Sequence, residues 1–114
     1  MTKDPNVYLA HARDCCLRIG DYVRGDEKFF LSDTKTQDAV LRNLEIIGQC
    51  IKDANLAQLE TEHPGVPWRD IAAFRNVLAH VYLGIELPIV WDIIKNQLPE
   101  LHRQLDTILT NWTP

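Results

Sequence analysis

Proline and glycine are scarce, six and five in 114 residues, too few for a collagen-like or low-complexity chain. No apolar run approaches the ~20 residues of a membrane-spanning helix. The opening residues, Met1-Thr2-Lys3-Asp4-Pro5, lack the apolar stretch of a secretory signal. Cysteine is sparse and odd in number: Cys15, Cys16 and Cys50, the first two adjacent. That usage argues against a disulfide scaffold and for a reducing, cytoplasmic home. A basic excess is missing too: 12 Lys and Arg stand against 16 Asp and Glu, a net charge of −4. A protein that coats nucleic acid draws its affinity from neutralising phosphates and is normally basic. Global charge therefore argues against general nucleic-acid coating and leaves room only for a small local basic cleft.

What is present is a globular composition, 46% hydrophobic and 25% charged. The length suits a single domain over residues 1–114. A domain this small buries only about two-thirds of its unfolded surface, so pairing with a second copy would help to stabilise it.

The apolar spacing is helical nearly throughout, and no segment alternates as a strand does. Asp4 can cap a first helix with Pro5 in its first turn. Tyr8, Ala12, Cys15, Cys16, Ile19 and Val23 then mark one face of a helix over about 5–24, which Gly25 ends in a left-handed cap. Residues 26–33 read as a turn or a single helical turn, with Phe29, Phe30 and Leu31 pinning it to the core. Ser32 or Asp33 can cap the next helix. Its residues Val40, Leu44, Ile47 and Ile51 follow a heptad seam, and the pattern predicts a helix reaching about Glu60. Glu62-His63-Pro64-Gly65-Val66-Pro67 is the clearest loop. Pro67 opens a helix with a buried stripe of Ile71, Phe74, Leu78 and Val81, which Gly84 ends. Pro88 opens a fourth helix, and Pro99 kinks it or begins a fifth. Leu98, Leu101, Leu105, Ile108 and Leu109 form the last apolar face, and Thr110–Pro114 should fray. The expected fold is all-α, an antiparallel bundle of four to five helices.

The chemistry concentrates in Trp68-Arg69-Asp70-Ile71-Ala72-Ala73-Phe74-Arg75-Asn76-Val77-Leu78-Ala79-His80-Val81-Tyr82. At 100° per residue, Arg75 and Tyr82 lie within roughly 20° of each other. Asn76 and His80 stack on a neighbouring face, and Arg75 and His80 diverge by roughly 140° on a straight helix. A bend, another helix or a two-fold partner would be needed to bring them together. Arg offers a planar fork for phosphate oxygens, and His trades protons near neutral pH. By residue type alone, an Arg and a helix-end His are as readily ordinary surface residues, and Tyr82 a half-buried aromatic with its hydroxyl in water.

The string Arg75-Asn76-Val77-Leu78-Ala79-His80-Val81-Tyr82 resembles the Arg-Asn-x-x-x-His motif of HEPN domains, extended to Tyr as in HepT-like toxins. Leu44-Glu45-Ile46-Ile47-Gly48-Gln49, Val66-Pro67-Trp68-Arg69, Val90-Trp91-Asp92 and Leu98-Pro99-Glu100-Leu101 are similar in place and order, so the resemblance spans roughly residues 5–109. It implies a HEPN-like all-α homodimer acting as a metal-independent endoribonuclease, without cofactor, in a type VII-like toxin–antitoxin module. Arg75, Asn76 and His80 would then be catalytic on an RNA substrate. Tyr82 would be the residue that a cognate MntA-type nucleotidyltransferase antitoxin silences by AMPylation. Gln49 departs from the resemblance, because that position is commonly acidic in the family.

Two other readings compete. A non-catalytic HEPN-type nucleotide-binding or adaptor domain could dock a nucleotidyltransferase. A plain helical dimerisation module could use the Val40–Ile51 seam. Cys15, Cys16 and Cys50 read as small apolar packing groups. Trp68 and Trp91 read as core or interface anchors. Arg13, Arg18, Arg24 and Arg42 suit either a solvated face or an RNA-binding surface. His11, His63, His80 and His102 are too scattered in sequence to suggest a metal site.

Overall fold

The computed structural model describes residues 4–74, 76, 78 and 86–113. Among them there are seven helices and no strand: α1 (Pro5–Val23), α2 (Glu27–Ser32), α3 (Thr34–Asp53), α4 (Leu56–Glu62), α5 (Trp68–Ala72), α6 (Leu87–Asn96) and α7 (Leu98–Ile108). No helix among the described residues is long and apolar enough to cross a membrane. The all-α expectation holds. The helix count exceeds four to five because residues 27–32 form a short helix of their own and the predicted 33–60 helix is split.

Side-chain caps set most of the boundaries. Asp4 Oδ1 accepts from the Asn6 N–H at 2.9 Å, and Asp26 Oδ1 accepts from the Phe29 N–H at 3.0 Å. Asp33 Oδ2, rather than Ser32, caps α3 by accepting from the Thr36 N–H. Each bond satisfies one of the orphan donors of a helix start. Helix α1 ends at Val23 and its left-handed cap is Arg24 (φ 50°), one residue before the predicted Gly25, which is left-handed as well (φ 69°). The predicted run to Glu60 breaks after Asp53. Asn55 turns left-handed at φ 68°, a conformation Asn adopts more readily than most residues, and caps α4.

The core is built on α1 against α3. The ends pair in opposite senses, since Pro5 and Leu9 share a cleft with Ala54 while Tyr22 and Arg24 share another with Lys35 and Ala39. The two helices are therefore antiparallel. Val40, Leu44, Ile47 and Ile51 are all buried within the chain. That overturns the dimerisation-module reading of this seam, because its apolar face is already spent on the chain's own core. Leu9, Ala12, Cys15, Cys16, Ile19 and Val23 supply the opposing face, with Tyr8 half-buried at its edge.

Only Phe30 of the Phe29-Phe30-Leu31 triplet is buried; Phe29 and Leu31 are 43% and 40% exposed. A six-residue helix presents one face, so three consecutive side chains cannot all point inward. The Phe30 ring packs against Trp91 at 5.8 Å between centroids, joining α2 to α6. Pro99, in the first turn of α7, begins a new helix rather than merely kinking α6. Trp112, where the sequence predicts fraying, is tied down, and Pro114 lies outside the described residues. Trp112 Nε1 donates to Asp4 Oδ2 at 3.0 Å, and Arg13 pairs with Asp106 at 3.5 Å. Both contacts hold the end of α7 beside the start of α1.

Candidate functional site

The approach to the motif is held by directional bonds from single side chains. His63 closes α4, its N–H donating to the Leu59 carbonyl. Its own carbonyl oxygen then accepts from Trp68 Nε1 at 2.9 Å. This bond satisfies the indole of a side chain only 1% exposed, as a buried indole requires. Arg69 Nε donates to Glu60 Oε2 at 2.9 Å, strapping α5 to α4. Trp68 is thus a core residue and Arg69 a surface clamp.

Gly48 sets how close α3 comes to this segment. A Cβ there would lie 3.1 Å from the Ala72 carbonyl oxygen and 3.3 Å from that of Ile71. A Cβ at those distances would require the α5 backbone to give by a few tenths of an ångström, so glycine suits the approach. The signal was visible in the sequence as a glycine inside an otherwise apolar helical run, but its partner was not. Next to it, Gln49 Nε2 donates to both carboxylate oxygens of Asp53 at 3.1 Å. The amide thus engages an acidic side chain one turn further along α3.

The predicted helix from Pro67 is interrupted before the motif. The Ala73 N–H reaches the Arg69 carbonyl at 3.0 Å, but the Asn76 N–H donates to Ala73, three residues back, at 2.9 Å. The ladder tightens there, as short 3₁₀ turns do. Ile71, Phe74 and Leu78 are buried as expected, and Asn76 between them is exposed. Arg75, His80 and Tyr82 lie outside the described residues, as do Val81 and Gly84. Of the predicted site residues, the structure therefore places Asn76, on the solvent side of a segment anchored by Phe74 and Leu78.

The other chemically capable groups are accounted for. Burial pushes the Cys15 thiol up, the Cys16 thiol up to about 12 and the Cys50 thiol up to about 11. Thiols held protonated in this way are poor nucleophiles. His102 Nε2 sits 3.4 Å from Asp106 Oδ2, and His11 is exposed. Among the described residues no three His, Cys, Asp or Glu gather as a metal site. Arg42 pairs with Glu45, whereas Arg18 and Arg24 are exposed. The sequence reading missed a groove of about 470 Å³ that borders Phe74.

Comparison with known proteins identifies the class. The family model for ribonuclease HepT-like proteins matches residues 12–108, and the chain belongs to that family. A Caldanaerobacter subterraneus protein named "Putative RNase TTE0752" is 35% identical over 108 residues, covering 94% of this chain and 96% of its own. The "Probable ribonuclease HepT" of Thermococcus cleftensis is 38% identical over 79 residues, 69% of this chain and 71% of its own. The Methanocaldococcus jannaschii "Gamma-glutamylcyclotransferase and putative RNase MJ0434" is 31% identical over 110 residues, 96% of this chain. The chain spans about half of that longer protein, 49%. No solved structure matches the chain.

Proposed function

We propose that this chain is a metal-independent endoribonuclease, the toxin of a type VII-like toxin–antitoxin module. The observation that carries the reading is family membership over residues 12–108, a span that encloses Arg75, Asn76, His80 and Tyr82 in the spacing described above. RNA brings its own nucleophile, the 2′-hydroxyl. His80 takes the proton from that hydroxyl as it attacks the neighbouring phosphorus, and an imidazole returns a proton to the departing 5′-oxygen. Arg75 stabilises the charge gathering on the phosphoryl oxygens, and Asn76 orients His80 or the phosphate. The products are a 2′,3′-cyclic phosphate and a 5′-hydroxyl. Two copies of the chain form the working unit, a single HEPN-like domain each, in the cytoplasm.

Tyr82 lies on the Arg75 side of a helical projection, so AMP placed on its hydroxyl sets a phosphate beside the guanidinium and fills the cleft. An MntA-type nucleotidyltransferase antitoxin is the agent of that transfer. The alternative is a non-catalytic adaptor that docks the same enzyme, and the presence together of Arg75, His80 and Tyr82 favours the toxin.

RNA cleavage in EDTA decides between them. The wild-type protein, shown by intact mass to be free of AMP, should cut RNA. His80→Ala should lose about 10²–10⁴-fold in rate with its helical circular dichroism unchanged. No cleavage by the unmodified protein rejects the toxin reading. Incubation with ATP and the transferase should add adenylyl mass to wild type and none to Tyr82→Phe. Light scattering should give a dimer at micromolar concentration.

A further inference from the structure

We propose that the groove between α5 and the α6–α7 pair docks a cationic amphipathic helix of another protein. The assignment rests on shape, apolarity and charge taken together, and it does not depend on the ribonuclease reading.

One wall is the loop before α5 together with α5 itself, ending at Phe74. The other is formed by Ile89, Asp92, Asn96, Glu100 and Gln104. Within each helix those positions recur at intervals of three and four, and all five line the same groove across the α6–α7 joint. At 1.5 Å per residue the groove is at most about 22 Å long, room for a helix of up to four turns. The floor is apolar, formed by Ile71, Phe74, Ile93 and Leu101. Ile89 stands 48% exposed at the rim, the highest exposure among the large apolar residues described apart from Leu17. An apolar groove flanked by polar side chains is the receptor half of helix-in-groove recognition.

Charge selects the occupant. Asp70, Asp92 and Glu100 line the groove, and among the described residues no Lys or Arg does. Glu100 already engages Arg103. Asp92 accepts only from the neutral amide of Asn96, and Asp70 forms no ion pair among the described residues. Two carboxylates therefore await a cation. RNA, a polyanion, is repelled here. A second copy paired face to face would bring the same carboxylates against these. A helix carrying Lys or Arg on either side of a Leu-like stripe satisfies floor and rim together. Because Phe74 immediately precedes Arg75, such a partner would press on the segment that carries the motif.

The test uses two fluorescein-labelled helical peptides of about 14 residues, one of Leu and Lys and one of Leu and Glu in the same register. Fluorescence anisotropy with the full-length protein should show saturable binding of the Leu/Lys peptide and none of the Leu/Glu peptide. Ile89→Ser, at an exposed position, and the double variant Asp70→Asn/Asp92→Asn should each weaken binding by about tenfold. Asp14→Asn/Asp21→Asn, which changes net charge equally on α1, should leave it unchanged. Absence of binding, equal binding of the Leu/Glu peptide, or equal loss in the α1 control overturns the proposal. So does a dimer by light scattering that Ile89→Ser converts to monomer, which would give the groove to a second copy. Ribonuclease activity enters none of these readouts, so its presence or absence is decided separately by His80→Ala.

Discussion

The α1–α3 pair and the segment leading into the motif are held by different kinds of force. Along α1 and α3 the contact is apolar, repeated and non-directional, from Leu9 to Val23 on one side and Val40 to Ile51 on the other. Across residues 64–74 the placement depends on single atoms: one indole N–H on the His63 carbonyl, one guanidinium on Glu60, one missing Cβ at Gly48. The first region resists change through sheer buried area. The second fixes position, which is what the proposed catalytic role of the motif would need, at the expense of tolerance to small alterations.

The contrast can be broken most forcefully at the centre of the first region. Ile47 is fully buried, and Ile47→Ala should cost about 2–5 kcal/mol in urea unfolding, whereas Ile47→Leu should cost less than about 1.5 kcal/mol. Equal losses would mean that this core is as shape-specific as the α5 region. In the second region, Trp68→Phe keeps one aromatic ring but deletes the indole N–H and leaves a cavity. It should cost at least about 1–3 kcal/mol in the same assay, from the unpaired His63 carbonyl together with the lost volume.

A pair of glycines sharpens the comparison. Nothing lies within 4 Å of a Cβ built at Gly20 in α1, so Gly20→Ala should raise stability by about 0.5–1 kcal/mol through helix propensity. Gly48→Ala has the same propensity gain offset by the Ala72 carbonyl. It should yield no such increase and should lower ribonuclease activity, while Gly20→Ala leaves activity alone. A stabilised, fully active Gly48→Ala protein would show that the close approach does not position the motif.

The smallest effect is a pH signature at the start of α3. The Thr36 hydroxyl and N–H both donate to Asp33 Oδ2, at 2.6 and 3.0 Å, holding its carboxyl below the usual range. A depressed folded pKa stabilises above the unfolded value and is lost as pH falls through the folded one. The melting temperature of Asp33→Ala should therefore lie below wild type at neutral pH, with the gap closing below about pH 4. A gap independent of pH would assign the effect to something other than the charged cap.

Helices were legible where apolar spacing and caps agreed, as at the starts of α1 and α3. The misread boundaries have local causes. Asn55 supplied a left-handed turn that the apolar pattern of residues 33–60 concealed, and the six residues of α2 could bury only one of three consecutive apolar side chains. Of the motif, the sequence supplied the residue types and the order. The structure describes Asn76 among them and shows it exposed beside the buried Phe74 and Leu78. The acidic groove was not legible, because Asp70, Asp92 and Glu100 share a cleft only once α5 packs beside α6 and α7.

By itself the amino-acid order determined that this chain is helical, which faces are apolar, and which family it joins. Those properties are local: periodicity, capping and motif spacing act over a few turns. Tertiary structure alone decided that the Val40–Ile51 seam is spent inside the chain, that α3 touches the backbone of Ile71 and Ala72, and that carboxylates from three helices line one groove. Each depends on residues far apart in sequence meeting in space, and only packing settles which of them meet.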